Sequence, residues 1–287
     1  MADPQVNDAN AAQREFWNSS ATRVWADQHE RMDRVVAEFT KQILDLAAPQ
    51  PGESVLDIGC GGGTTTLELA KRVGPTGRVL GADISENSIA QVQRRIAGAG
   101  LKQAEAVVAD VAAHPFPPNG FDLVFSRFGV MFFADPTAAF ANVRCAVKPG
   151  GRLSLAVFRT ARENLWPQGP LEAVRHLLPP LPTPGPEDPG PFSWADPARV
   201  HRILEGAGFR EVKLIRLDPK MRLAPPGGVA EAADFMMTFG PLTRVLPSLA
   251  PEQRDAVRAG VEGFFSGHDG PEGILLPAAN WVVQARA

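Results

Sequence analysis

A doubly wound α/β fold is what this 287-residue sequence predicts, and three observations carry the prediction. Short apolar runs alternate with amphipathic ones from about residue 54 to 158, the pattern of a parallel sheet covered by helices on both faces. The first apolar run leads into a glycine-rich turn, DIGCGGG at 57–63. Asp135-Pro136 and Asp196-Pro197 each pair an N-cap residue with proline at the first helical position.

The elements follow in order. Residues 9–47 predict a helical arm: Met32, Val35, Val36, Phe39, Ile43 and Leu46 recur three to four apart, behind Phe16, Trp17 and Trp25, and no proline intervenes. AAPQPGE then ends the arm. SVLDI is a strand, 64–73 a helix, RVLGADI a strand, and SENSIAQVQRRIAGAG a helix with Ser85 as its cap. AEAVVAD, FDLVFSR and GRLSLAVF are strands, with the helix DPTAAFANVRCAV before the last. After Arg159 the alternation fails. Residues 179–191 contain seven prolines and predict a loop or lid. ADPARVHRILEGAG and FREVKLIRL restore a helix and a strand. Residues 222–268 read as helical, with PEQRDAVRAGVEGFF the clearest helix, and LLPAANWVVQAR closes the chain as a strand. The expected organisation is an arm or lid at 1–48, a core at 49–160, a proline-rich insertion at 161–195, a core helix and strand at 196–218, a helical cap at 219–271 and a core strand at 272–287.

Composition narrows the function. Apolar residues at 44 % and charged ones at 21 % suit a buried core, and the net charge of −3 disfavours nucleic acid, whose phosphates call for a Lys/Arg excess. Two cysteines, Cys60 and Cys145, suit neither a disulfide framework nor a cysteine zinc site. The first residues lack a signal peptide's basic and apolar regions, and no apolar run approaches the roughly 20 residues of a spanning helix. A cytoplasmic protein without membrane association is expected.

The glycine turn is more specific. A phosphate-cradling loop needs Gly-Lys-Ser/Thr, and here the first lysine is Lys71. The dinucleotide fingerprint needs a glycine where Thr64 stands. The actual pattern is Asp57-x-Gly59-x-Gly61-x-Gly63, with alternate glycines where backbone turns sharply and approaches a ligand. The Asp57 carboxylate can accept from the loop or from an ammonium group. Asp83, ending the second strand, can accept both hydroxyls of a ribose. Such a ligand is a nucleoside with a cationic, amine-bearing tail, a description that S-adenosyl-L-methionine meets.

DIGCGGG, GADIS, VVAD and KPGG, in that order and spacing, resemble the class I S-adenosylmethionine-dependent methyltransferases over about residues 45–160. The resemblance implies a Rossmann-like seven-stranded sheet, with the arm and the late insertions forming a substrate lid. It implies that Gly59, Gly61 and Gly63 line the methionine and ribose, with Cys60 among them as a small apolar filler. Asp83 would bind the ribose, Ile84 would pack on adenine, Asp110 would accept from the adenine amino group with Val111 beside it, and Ser126 and Arg127 would border the methyl group. SRFGVMFFADP and VRCAVKPGGRL look most like the small-molecule subgroup that contains the ubiquinone/menaquinone C-methyltransferases. Those quinone enzymes carry an Arg-Asn pair in a stretch where this chain has Phe-Gly-Val-Met, which weakens a quinone substrate.

Catalytic candidates are fewer. Arg127 stands at the carboxyl end of a central strand, where open sheets bind ligands. His29 in the arm and His268 in the late insertion are candidate general bases, whereas His114, His176 and His201 read as structural. Trp25 offers a face to a sulfonium. No Asn/Asp-Pro-Pro-aromatic motif follows the fourth strand, no carboxylates gather there for magnesium, and two cysteines are too few for arsenic chemistry. The sequence therefore predicts methyl transfer without metal to a small apolar or aromatic molecule at O, N, S or carbon, and allows a homodimer. The alternatives are a catalytically inactive S-adenosylmethionine-binding partner subunit and an NAD-dependent oxidoreductase.

Overall fold

The computed structural model describes residues 10–19, 22–181, 185 and 187–287, the side chain of residue 26 excepted. Residues 1–9, 20 and 21 of the predicted arm and residues 182–184 and 186 of the predicted proline loop lie outside the described set.

Among the described residues the arm is four helices: α1 (Ala11–Asn18), α2 (Arg23–Asp27), α3 (His29–Val35) and α4 (Ala37–Ala47). The sequence predicts one continuous helical stretch, and the first break has a local cause. The Asn18 and Thr22 side chains compete for backbone groups, Asn18 donating to the Arg14 carbonyl at 2.9 Å. The Thr22 hydroxyl donates to the Phe16 and Ser19 carbonyls at 3.0 and 3.1 Å, and the chain is extended at Ser19.

Alternation then runs β1 (Ser54–Ile58), α5 (Thr64–Val73), β2 (Arg78–Asp83), α6 (Glu86–Ala99), β3 (Ala104–Val108), β4 (Phe121–Arg127), α7 (Pro136–Ala146) and β5 (Val147–Phe158). The caps form as predicted. Ser85, Asp135 and Asp196 accept from the backbone N–H of Ser88, Ala138 and Ala198. Next come α8 (Leu165–Val174), α9 (Pro197–Gly206), β6 (Arg210–Leu217), β7 (Lys220–Ala224), α10 (Val229–Phe239), α11 (Pro251–Ser266), β8 (Asp269–Gly270), β9 (Gly273–Pro277) and β10 (Asn280–Arg286).

Seven strands form one sheet in the order β3-β2-β1-β4-β5-β10-β6. β1 to β5 are mutually parallel, and β10 runs antiparallel to both neighbours. Adjacent residues face opposite ways, as a period of two requires. Val55, Leu123 and Phe125 meet Phe39 and Ile43 of α4 and Leu69 of α5 on one face. Leu56, Val124 and Leu153 join Phe140 of α7 and Val200 of α9 on the other. β1 to β4 therefore end their carboxyl termini side by side, beneath the arm.

Three late elements depart from the sequence reading, and the first is β7, a strand that runs into the start of the stretch 222–268 read as helical. α8 carries Pro167 and Pro170, which hid it as a helix. LLPAANWVVQAR is two strands: β9 pairs with β7 in a separate three-stranded sheet with β8, and only β10 enters the main sheet. The chain breaks at Pro277, and the Ala278 N–H turns to the Pro219 carbonyl. No described helix is long and apolar enough to cross a membrane.

Candidate active site

The turn after β1 alternates handedness. Gly59, Gly61 and Gly63 have φ of +64°, +53° and +85°, a region that costs an L side chain roughly 1–2 kcal/mol. At Gly59 space forbids a side chain as well: its Cβ would stand 2.6 Å from the Cα of Gly129, just beyond β4. Gly61 has open space around it, so its glycine answers to conformation alone. Gly62, outside the alternate set, packs against the arm, and a Cβ there would lie 2.6 Å from the Cβ of His29. That contact places buried His29 on the loop itself. The loop is tied to β2 by the Gly59 N–H donating to the Ala82 carbonyl at 2.8 Å.

Three carboxylates stand at the ends of β1, β2 and β3. Asp57 is fully buried; Oδ2 accepts from the Thr65 and Thr66 hydroxyls, each at 2.7 Å. Its Oδ1 is buried and has no hydrogen-bond partner among the described residues. Burial pushes the Asp57 carboxyl up to about 6, against the two threonine bonds and the nearby Arg127 charge. Asp83 accepts from the Gly61 N–H at 2.8 Å and the Ser85 N–H at 2.9 Å. Burial raises it too, and those N–H groups offset part of the rise. Asp110 accepts from the Ala112 N–H at 3.0 Å and from Asn10 Nδ2 at 2.8 Å, with Arg14 at 3.6 Å.

The arm closes over these ends through two amides that sequence reasoning missed. Asn10 bridges Asp110 to the Ala134 N–H. Asn18 donates to the Ile84 carbonyl at 3.0 Å and accepts from the Glu86 N–H at 2.9 Å. Neither disturbs a helical pattern, so periodicity carries no mark of them. Ile84 is half-buried beside Asp83. Val111 is buried, and its carbonyl accepts from Asn142 at 2.8 Å.

The other candidates have contacts of their own. Cys60 turns its thiol away from the turn, against Ile89 and Val92, and burial holds that thiol well above its usual range. The Ser126 hydroxyl donates to the Ile58 carbonyl at 2.7 Å and accepts from the Gly129 N–H at 3.3 Å, which joins the ends of β1 and β4. Arg127 directs its guanidinium to Thr40 at 2.7 Å and Asp33 at 3.0 Å. Asp33 also accepts from Thr64, and Arg95 donates to Thr64 and the Gly62 carbonyl, so this acid of α3 clamps the outer side of the loop. Trp25 packs edge-on against Trp17 and against Phe239 of α10, with ring centroids at 6.2 and 5.1 Å. Trp17 meets Phe132 at 5.1 Å, so arm, post-β4 turn and cap share one aromatic cluster. His268 is exposed at the end of α11; its Nδ1 lies 2.8 Å from the Phe264 carbonyl and its ring tilts on Phe264. Those contacts tie it to the last turn of α11.

Phe128 was not singled out from sequence. It holds φ of +66°, rare for a bulky residue, and stacks between Phe39 at 5.1 Å and Phe158 at 4.1 Å. The two stacks hold a conformation that costs of order 1–3 kcal/mol, and they set Gly129 against Gly59.

Comparison with known proteins agrees with this geometry. Residues 55–151 match the family model described as "Methyltransferase domain". The nocamycin O-methyltransferase of Saccharothrix syringae is 31 % identical over 251 residues, covering 83 % of this chain and 88 % of that protein. The aklanonic acid methyltransferase DauC of Streptomyces sp. (strain C5) is 30 % identical over 216 residues, covering 69 % of this chain and 94 % of that protein. In fold, the chain is similar to the Haemonchus contortus phosphoethanolamine N-methyltransferase 2 in complex with S-adenosyl-L-methionine. The TM-score is 0.59 at 18 % identity, covering 96 % of this chain and 59 % of the other. The left-handed glycine turn, the carboxylates ending three adjacent strands and this kinship together identify the chain as a member of the class I S-adenosylmethionine-dependent methyltransferases, with S-adenosyl-L-methionine as its cofactor.

Proposed function

We propose that this enzyme methylates an oxygen of a small, largely apolar or aromatic molecule, and that its cofactor lies along the ends of β1, β2 and β3. The observation that carries the placement is Asp57 Oδ1, a buried carboxylate oxygen without a partner beside a turn of left-handed glycines. An ammonium group supplies what that oxygen lacks. Asp83 and Asp110 retain acceptor capacity beyond their backbone and arm contacts, as ribose hydroxyls and an adenine amine require. When bound, the cofactor supplies an electrophilic methyl group on a sulfonium.

The chain's own residues then bind, orient and exclude water. Gly59, Gly61 and Gly63 give the backbone close approach; Ile84 and Val111 flank the base; Ser126 holds the ends of β1 and β4 in register. Arg127 is read as a positioning residue, since its guanidinium already serves Asp33 and Thr40. His29, packed on Gly62, is the histidine best placed to meet an acceptor proton, and His268 is the least well placed. Trp25 works through the aromatic cluster that roofs the site. Alignment of acceptor and methyl can supply roughly 7–11 kcal/mol of the barrier, so a strong base is needed only for a weakly acidic acceptor.

The acceptor class rests on two relatives named for small molecules, one an O-methyltransferase and one acting on an acid. A cap of apolar and aromatic residues agrees with it, through Phe235, Met236 and Phe239 of α10. Incubation with labelled S-adenosyl-L-methionine and a small-molecule extract of the source cells, followed by mass spectrometry, should yield a labelled product stable to N-demethylating conditions. Label appearing only on protein or nucleic acid would overturn the reading.

A further inference from the structure

We propose that Trp166 is a specificity-determining residue, its indole N–H donating to an oxygen of the acceptor molecule. The inference rests on the acceptor reading above and adds the group that selects for it. Trp166 is the second residue of α8 and is only 8 % exposed. Its Nε1 is buried and finds no hydrogen-bond partner among the described residues. A buried donor left unpaired is destabilising, and a buried tryptophan usually satisfies its N–H. Trp281 shows the usual arrangement, donating to the Ala195 carbonyl at 3.0 Å. A phenylalanine at 166 would fill an apolar site without that cost, so the extra N–H suits an oxygen brought by a bound molecule.

Position supports the same conclusion. The Trp166 ring lies 5.8 Å from that of Phe158, the last residue of β5, and Phe158 stacks on Phe128 at the end of β4. Phe128 adjoins Gly129, which touches Gly59 of the glycine turn. The unpaired donor therefore stands beyond the carboxyl ends of β4 and β5, the side on which open sheets bind ligands, and two rings from the cofactor loop. Phe192, 6.1 Å from Phe158, adds another apolar wall. A water held there would want two or more polar partners, and these rings supply none. The donor is also rigidly placed, because buried Asn164 pins the start of α8. Its amide donates to the Thr160 and Ala279 carbonyls and accepts from the Ala279 N–H. An aromatic or otherwise apolar body with one carbonyl, carboxylate or phenolic oxygen fits this combination.

The test uses the full chain, ¹⁵N-labelled and saturated with S-adenosylhomocysteine. Its five tryptophans give five indole resonances, and Trp166→Phe assigns one by its loss. The probes are 2-acetylnaphthalene, 2-naphthoate and the oxygen-free 2-ethylnaphthalene. A saturable downfield shift of the Trp166 indole proton is expected with one or both oxygenated probes and none with 2-ethylnaphthalene. Trp166→Phe should bind the oxygenated probe about fivefold more weakly, with S-adenosylhomocysteine and 2-ethylnaphthalene affinity unchanged. A Trp166 resonance that neither oxygenated probe moves, or a variant that binds them as tightly as the parent, overturns the proposal. Failure of the parent chain to bind S-adenosylhomocysteine would instead strike at the cofactor site, which keeps the two outcomes apart.

Discussion

On the proposed reading, the turn at 57–63 and the cap built from α8, α10 and α11 specify their ligands by different means. In the turn, backbone does the work: glycines at positive φ, the Gly61 N–H bonded to Asp83, and a close crossing of Gly59 with Gly129. In the cap, side chains do it, through rings from arm, post-β4 turn and α10 that meet in one cluster. A backbone-built site tolerates few residue types and leaves a sequence pattern. A site lined by interchangeable apolar side chains changes its ligand without leaving one. The cofactor is therefore readable from the chain, and the acceptor is not.

Substitutions within the turn should break the comparison hardest. Gly59→Ala places a methyl against the Gly129 backbone and forces a left-handed alanine. A loss of about 3 kcal/mol is expected in urea unfolding. Gly61→Ala meets open space at φ of +53°, so only the conformational penalty of about 1 kcal/mol should appear. Equal losses at the two glycines would mean that contact with Gly129 contributes nothing.

The pH dependence sharpens the electrostatic side. Burial raises Asp57 from 3.8 to about 6, so the folded apo chain holds this proton more tightly than the unfolded chain does. Apo stability from this group therefore falls as pH rises from 3.8 to about 6 and is level above that. An ammonium beside Oδ1 favours the ionised form, so cofactor binding should release a proton in acid. Affinity for S-adenosylhomocysteine should be flat above pH of about 6 and fall up to about tenfold per unit below it. Calorimetry in buffers of different ionisation heat measures both effects, and proton uptake on binding would contradict the assignment.

The smallest effect on cofactor belongs to the cap. Phe239→Ala removes the ring that Trp25 packs against. With an identified acceptor, its KM should rise about fivefold while S-adenosylhomocysteine affinity stays within about twofold, since the lost area is apolar and lies off the turn. A matching loss of cofactor affinity would merge the two regions into one.

Legibility followed the same division. Alternation, the Asp-Pro caps and the strand-ending acids all appear where the sequence puts them, because each depends on a local rule. Five features were hidden. α8 was masked by Pro167 and Pro170, and β7 and β9 pair across about 50 residues with no turn to announce them. Asn10 and Asn18 reach strand ends far away in sequence, which a helical pattern cannot reveal. Arg127 stands where an active-site cation would be expected, and only the fold shows Asp33 and Thr40 occupying it. Phe128 at positive φ has no sequence mark beyond the glycine that follows it.

The central claim is that the turn and the acids beside it hold the cofactor. Calorimetric titration of S-adenosylhomocysteine into the parent chain and into Asp83→Ala tests it most directly. Micromolar binding to the parent is expected, weakened by about tenfold or more in the variant, the equivalent of about 1.4 kcal/mol. Binding that ignores Asp83, or a parent chain that binds none, would contradict it.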